Sequence, residues 1–347
     1  MDFFHIIAPD LAIDLGTANT TVVRLDNGKT LREPTVIALD FKKMEILAVG
    51  QEAKNLMGKS PENVASLRPL EDGVISDFDL TQALLEYYIH RAVRGISIVA
   101  PRVTISIPSG ATDVEMRAIQ DACLQSGARD VYLVEEALAS AYGADLVNDS
   151  TQGAMVLNIG AGTTQVAVVN SYGVITSETM KRGGDTLDRM IRDHIREKYD
   201  LVIGDNTAEE LKITIGTLRE ANAGNAMEAS GRDTITGMPK SIDVYSSDLI
   251  EAIQPFFDQV VDRVRLTLEK TPPELAGDIM KRGLFVTGGT SQIDGLDEYI
   301  ATRLAIRVVL SGKPLTDTID GTCRIMKNID QIVRRGEQDD SVKTKKK

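Results

Sequence analysis

The sequence predicts an α/β protein in which two copies of one domain close around a cleft. The first observation behind this is a repeat. Leu11-Ala-Ile-Asp14-Leu-Gly16-Thr17-Ala18-Asn19-Thr20 runs on into apolar residues ending at Val23, and Met155-Val-Leu-Asn158-Ile-Gly160-Ala161-Gly162-Thr163-Thr164-Gln165 runs on to Val168. Laying Asp14 on Asn158 puts Gly16 on Gly160, Thr20 on Thr164 and Val22 on Val166. The second observation is that each copy reads as a β-hairpin with a Gly-rich tip, followed by a third strand and then helices. The third is bulk: 347 residues with 42% hydrophobic content suffice for two cores.

The elements follow from patterning in chain order. After the first hairpin, residues 30–40 and 45–50 read as strands, and a polar loop leads to a helix over 82–93 on the spacing of Leu84, Leu85, Tyr88, Ile89 and Ala92. Residues 102–107 form an alternating strand ending at Pro108-Ser109-Gly110, and 113–126 a helix. Residues 131–134 form a buried strand running into Glu135-Glu136, and 138–147 an Ala-rich helix. In the second half, 174–180 is the third strand, and 185–198 is a helix that Asp185 is placed to cap behind Gly183-Gly184. Residues 207–217 and 247–267 are helical, the latter across Pro255, with a strand-rich polar stretch at 220–246 between them. A further helix starts near Pro272-Pro273, 283–286 is a strand, 295–304 a helix, 307–310 a strand and 320–332 a helix. The charged stretch 334–347 reads as a disordered tail.

Composition excludes several function classes. A formal net charge of −12 argues against a nucleic-acid surface, which needs basic patches. Cys123 and Cys323 lie far apart, and His5, His90 and His194 form no cluster, so neither metal-ligand spacing nor a disulfide framework is present. No apolar run is long enough to span a bilayer and no cleavable signal peptide is apparent, so the expected location is intracellular.

The repeated tips point to anion chemistry. Glycine and threonine let backbone N–H groups and hydroxyls close on a phosphate without side-chain bulk. Two such tips facing each other would hold a polyphosphate from both sides, and the Asp14 carboxylate at the strand end would hold its Mg²⁺ through water.

These residues resemble those of the actin, heat-shock chaperone and sugar-kinase superfamily, and within it the bacterial actins of the MreB and Mbl type, from about residue 11 to about 328. The segments that carry the resemblance are Ala12-Ile-Asp14-Leu-Gly-Thr-Ala-Asn-Thr20, Arg68-Pro-Leu-Glu-Asp-Gly-Val-Ile-Ser-Asp-Phe78, Pro108-Ser-Gly-Ala-Thr112, Gly183-Gly-Asp185, Thr271-Pro-Pro-Glu-Leu-Ala276 and Thr287-Gly-Gly289. The resemblance implies an actin-like ATPase fold of two ribonuclease-H-like domains around an ATP cleft. Domain I would span 1–142, with a smaller subdomain at about 33–66 and completion by about 315–333. Domain II would span 143–314, with a smaller subdomain at about 182–246.

It also implies roles. Asp14, Gly16, Thr17, Ala18, Asn19 and Thr20 would form the first phosphate loop, and Asn158, Gly160, Ala161, Gly162, Thr163 and Thr164 the second, with Mg²⁺ held through water by Asp14 and Asn158. Glu136 would orient the attacking water, assisted by Gln165. Gly184, Asp185, Glu209, Lys212, Gly288, Gly289 and Thr290 would border the nucleoside, although Glu209 and Lys212 also fit an ordinary surface ion pair. Where the family usually carries two acids, this chain has Asn158 and Gln165, so Mg²⁺ and water are held less firmly and ATP hydrolysis is expected to be slow. Further implications are self-assembly into filaments, work with the cell-wall elongation machinery, and attachment to the inner face of the cytoplasmic membrane. The attaching residues would be Phe3, Phe4, Ile6 and Ile7 and a loop with Ile96, Ile98 and Val99. The alternatives are a small-metabolite kinase, which needs a substrate pocket and base beyond these motifs, and a chaperone-type ATPase, which needs a substrate-binding domain where a short charged stretch is read.

Overall fold

A computed structural model describes residues 9–93, 99–147 and 151–330. Phe3, Phe4, Ile6, Ile7, Ile96, Ile98 and the 334–347 stretch lie outside the described residues; Val99 lies within them and is half-buried.

The first half opens on an antiparallel meander, β1 (Asp10–Leu15), β2 (Asn19–Arg24) and β3 (Thr30–Pro34). A small sheet follows, made by β4 (Ile37–Asp40), β5 (Glu45–Val49) and, after α1 (Gln51–Leu56), β6 (Val64–Leu67). The short strands β7 (Leu70–Glu71) and β8 (Val74–Ile75) pair across Asp72-Gly73, whose φ values of 49° and 79° suit the two-residue turn that Asp-Gly favours. Then come α2 (Phe78–Val93), β9 (Arg102–Ile107), α3 (Asp113–Gln125), β10 (Asp130–Glu135) and α4 (Glu136–Gly143). A capping box starts α3: the Thr112 hydroxyl accepts from Glu115 N and the Glu115 carboxylate accepts from Thr112 N.

The second half repeats the plan with β11 (Ala154–Ile159), β12 (Thr164–Asn170), β13 (Gly173–Met180) and α5 (Gly184–Tyr199). Its inserted sheet combines β14 (Leu201–Val202) with, beyond α6 (Asp205–Ile215), the hairpin β15 (Ala226–Asp233) and β16 (Pro239–Tyr245). The chain continues through α7 (Ser246–Glu269), α8 (Pro273–Arg282), β17 (Leu284–Thr287), α9 (Leu296–Leu304), β18 (Val308–Leu310) and α10 (Asp317–Lys327). Pro255 sits inside α7 without ending it.

Topology confirms the duplication. One sheet has the order β10-β9-β1-β2-β3 and the other β13-β12-β11-β17-β18. In both, the first strand pairs antiparallel with the second and parallel with a later strand reached through a helix. The register matches position for position: Asp14 faces Thr21 and Leu15 faces Thr20, as Asn158 faces Gln165 and Ile159 faces Thr164. Central strands β9, β11 and β12 are buried along their whole length, so β9, expected to alternate, has both faces covered.

Helices α4 and α10 cross between the sheets, α4 against β11 and β12 and α10 against β1 and β9. The crossing is a backbone contact. A Cβ at Gly321 would lie 1.7 Å from Ala139 O, and one at Gly143 would lie 1.9 Å from Asp317 O. Ser140 and Thr318 share a 2.9 Å hydroxyl pair at the same place.

Several boundaries differ from the sequence reading. The helix expected at 138–147 starts at Glu136 and stops at Gly143, and the last one starts at Asp317 rather than 320. Asp185 sits inside the first turn of α5, whose cap is Gly183, because the Asp185 carboxylate is taken by Arg68 at 2.7 Å. The stretch expected as a polar loop before α2 carries α1, β6, β7 and β8.

Gly321→Ala should force α4 and α10 apart and cost about 3 kcal/mol, as overpacking of a backbone contact does. Chemical denaturation against the parent protein measures it, with Gly277→Ala, where a Cβ meets nothing within 4 Å, as the neutral control.

Candidate functional site: a cleft floored by two glycine-rich tips

The two hairpin turns are built alike. Gly16 N donates to Asn19 O at 3.2 Å and Gly160 N to Thr163 O at 2.8 Å. Behind the first tip, the Thr20 and Thr35 hydroxyls pair at 2.9 Å, and Thr35 donates to Gly16 O at 2.7 Å. Behind the second, Thr164 donates to Arg182 O at 2.8 Å. Thr290 Oγ1 and Gly184 N both donate to Gly160 O, and Asp185 N donates to Ala161 O. With those carbonyls engaged, fewer acceptor oxygens remain to repel an anion.

The tips touch. A Cβ at Gly162 would lie 2.3 Å from Thr17 Oγ1, and one at Gly73 would lie 2.3 Å from Thr163 Cγ2. Thr17 Oγ1 in turn accepts from Gly73 N at 3.2 Å. The β7–β8 turn is therefore wedged between both hairpins, and only glycine fits at 73 and 162.

Above this contact lies a cavity of about 530 Å³ between the two halves. Of the residues singled out in the sequence, Asp14, Gly16, Thr17, Ala18, Asn19, Glu136, Asn158 and Gly160–Thr163 line its floor, and Gly184, Asp185, Glu209, Lys212, Gly288, Gly289 and Thr290 line its wall. Thr20, Thr164 and Gln165 stand one layer behind, where Thr20 and Thr164 brace the tips. Residues that the sequence reading missed also line it, among them Thr21, Arg32, Gly73, Ile213, Ile293 and Leu315. For Gly73 the signal was the Asp-Gly dipeptide between Leu70-Glu71 and Val74-Ile75. Arg32 was legible only through register, because β3 sets it opposite Thr21, itself opposite Asp14.

Glu209 and Lys212 do not pair with each other. Lys54, on α1 beside the small sheet of the first half, binds Glu209 at 3.0 Å, while Lys212 binds Asp188 at 2.8 Å and donates to Gly184 O at 3.0 Å. With Arg68–Asp185, the Lys54–Glu209 pair makes two ion pairs from one half to the other across the cleft.

The floor is electrostatically tense. Burial pushes the Asp14 carboxyl above its ordinary value, opposed by the Ser106 hydroxyl at 3.0 Å and by the Arg32 charge. Burial, and then the Asp14 charge, push Glu136 up to about 8, against the hydrogen bond that Gln165 donates to it. Gln165 is fully buried with both ends used: its Nε2 donates to Glu136 Oε2, and its Oε1 accepts from Ser109 N at 2.8 Å.

The sequence profile described as MreB/Mbl protein matches residues 8–334. The chain belongs to the MreB/Mbl family. It is 38% identical over 331 residues to the cell shape-determining protein Mbl of Bacillus subtilis, covering 95% of this chain and 99% of that one. It is also 38% identical over 334 residues to the cell shape-determining protein MreB of Escherichia coli, covering 94% and 96%. Among solved structures, MreB5 of Spiroplasma citri bound to AMPPNP matches with a TM-score of 0.89 at 33% identity, covering 95% of this chain and 99% of that one. The MamK double helical filament, at 21% identity and a TM-score of 0.79, shares the fold. The fold is actin-like, and the family is that of bacterial cell-shape actins.

Native Glu136 keeps a proton that the unfolded chain releases once pH exceeds the ordinary glutamate range. Its contribution to stability is therefore full below about pH 4.5, declines as pH rises, and is lost above about 8. Denaturant unfolding of the ligand-free protein between pH 5 and about 9 should show this decline, and Glu136→Gln should flatten it.

Proposed function

We propose that this chain is an ATP-binding bacterial actin that polymerises into filaments on the inner face of the cytoplasmic membrane and organises cell-wall growth and rod shape. The observation that carries the reading is the direct contact of two duplicated Gly-rich tips beneath a cavity of about 530 Å³. A relative 33% identical was solved with AMPPNP in place, and relatives across the whole chain are named for cell shape.

In this reading the polyphosphate lies over Gly16–Asn19 and Gly160–Thr163, and the nucleoside runs along Gly184, Glu209, Lys212 and Gly288–Thr290. At the two equivalent strand ends the floor offers a carboxylate, Asp14, and an amide, Asn158. That donor set fits a Mg²⁺ that keeps most of its waters and takes its remaining ligands from phosphate. Among the described residues no cluster of three or more acidic, histidine or cysteine side chains could cage a cation alone, which agrees with that arrangement. When bound, the ion neutralises phosphate charge. Glu136 faces the floor as the group that orients water, and Gln165, which lies behind it, is a positioning residue. With amides at 158 and 165 the hold on Mg²⁺ and on the attacking water is weaker, so turnover is slow and ATP filaments are long-lived.

Sedimentation with and without ATP tests the assembly, and phosphate release tests the timer. Asn158→Asp with Gln165→Glu adds a metal carboxylate and removes the donor from Glu136, and should raise phosphate release at matched filament mass by roughly ten-fold or more. Glu136→Ala should abolish what remains. A double variant no faster than the parent would contradict the slow-hydrolysis account.

Membrane attachment is assigned to Phe3, Phe4, Ile6 and Ile7 and to the loop with Ile96, Ile98 and Val99. No described helix is long and apolar enough to cross a membrane, so attachment would be by many shallow insertions along a filament. Because the chain is acidic, binding to liposomes should persist at raised salt. It should be lost from a variant lacking residues 2–7 and carrying Ile96→Ser and Ile98→Ser, as read by co-sedimentation; unchanged binding would refute the assignment.

A further inference from the structure

Charge on the cavity wall is almost entirely spoken for. Lys212 is bound to Asp188, Asp185 to Arg68 and Glu209 to Lys54. Arg32 also lines the cavity and is exposed within it, yet among the described residues it makes no hydrogen bond and no ion pair at contact distance. Its charge is felt at Asp14.

The register explains why it points there. Arg32, Thr21, Asp14 and Ser106 are cross-strand partners on β3, β2, β1 and β9, so they form one row on one face of the sheet. The neighbours of Arg32 on β3 face the other way: Leu31 packs on the core and Glu33 binds Arg91 at 2.6 Å. A charge on an edge strand often serves to block sheet-to-sheet pairing. Here the side chain faces the cleft and not outward from the edge.

The duplicate row sharpens the point. Thr179, Gln165, Asn158 and Thr287 occupy the matching positions of the second sheet, so Arg32 corresponds to a neutral threonine. The first half carries an anion and a cation, Asp14 and Arg32, where the second carries only neutral groups.

We propose that the Arg32 guanidinium is an anion ligand of the cleft that binds the polyphosphate of the nucleotide directly, so that nucleotide is retained even without a divalent cation. The inference rests on the nucleotide reading of the site given above. A guanidinium offers paired N–H donors matched to phosphate oxygens and stays charged at every working pH. With Asn158 and Gln165 neutral, that cation meets less competition from protein carboxylates. It supplies part of the neutralisation that Mg²⁺ alone would otherwise provide.

The test is calorimetric titration of the full chain with ATP, with inorganic tripolyphosphate and with adenosine, each with Mg²⁺ and with excess chelator. The parent should bind ATP and tripolyphosphate in chelator. Arg32→Ala should weaken both by about ten-fold or more there, by less with Mg²⁺, and with a shallower dependence on salt, while adenosine binding stays unchanged. Arg32→Lys should recover part of the loss, and equal thermal melting of the ligand-free variants verifies folding. If Arg32→Ala binds ATP in chelator as the parent does, or loses adenosine equally, the proposal is overturned while the nucleotide reading stands. A parent that binds ATP under neither condition overturns both.

Discussion

The rest of the structure depends on one contact: Thr17 against Gly162, with the Gly73 amide on the Thr17 hydroxyl and Thr163 against Gly73. It is a contact of backbone and small side chains at which any added Cβ would collide. It sets the distance between the two hairpins, and that distance sets what the cavity above can hold. A second backbone contact, Gly321 and Gly143 in the α4–α10 crossing, ties the same two halves together. Two close approaches, each requiring glycine, therefore fix how the duplicated sheets face each other.

On that frame the charges are arranged asymmetrically. The copies have matched topology and register, but the chemistry at equivalent positions has diverged: Asp14 against Asn158, Thr21 against Gln165, Arg32 against Thr179. The first half keeps the ionisable groups and the second supplies neutral hydrogen-bonding ones. The consequence is felt at Glu136, which lies near the Asp14 charge and is steadied by the Gln165 amide rather than opposed by a second carboxylate. Binding and turnover are separable in such a site. In the proposed reading the tips and Arg32 bear on the anion, and Glu136 bears on water.

Much of this was legible in the sequence because the repeat is local, and because glycine at a hairpin tip marks a tight turn or a close approach wherever it occurs. The alignment of Asp14 on Asn158 is the alignment that the strand registers show, and nearly every wall residue named from motifs lines the cavity. What was hidden depends on pairing between distant segments. Arg32 looks like one more surface charge until β3 is placed beside β2. Gln165 looks like a cavity residue until Ser109, Glu136 and Thr163 are seen to surround it. The link between Glu209 and Lys212 suggested by their spacing gives way to stronger partners, Lys54 and Asp188, brought in by other elements. The start of α4 is equally hard to place from patterning, since Glu135-Glu136 follows an apolar strand directly; Glu135 ends that strand and Glu136 is already the first residue of the helix.

The central claim is that the contacting tips form a polyphosphate site, and calorimetric titration of Mg-ATP into the parent protein and into Gly162→Val tests it most directly. The account predicts one site per chain in the parent and at least a hundred-fold loss in the variant, on the order of 3 kcal/mol, because the added side chain meets Thr17 and holds the tips apart. Equal binding by the two proteins, or none by the parent, would contradict it.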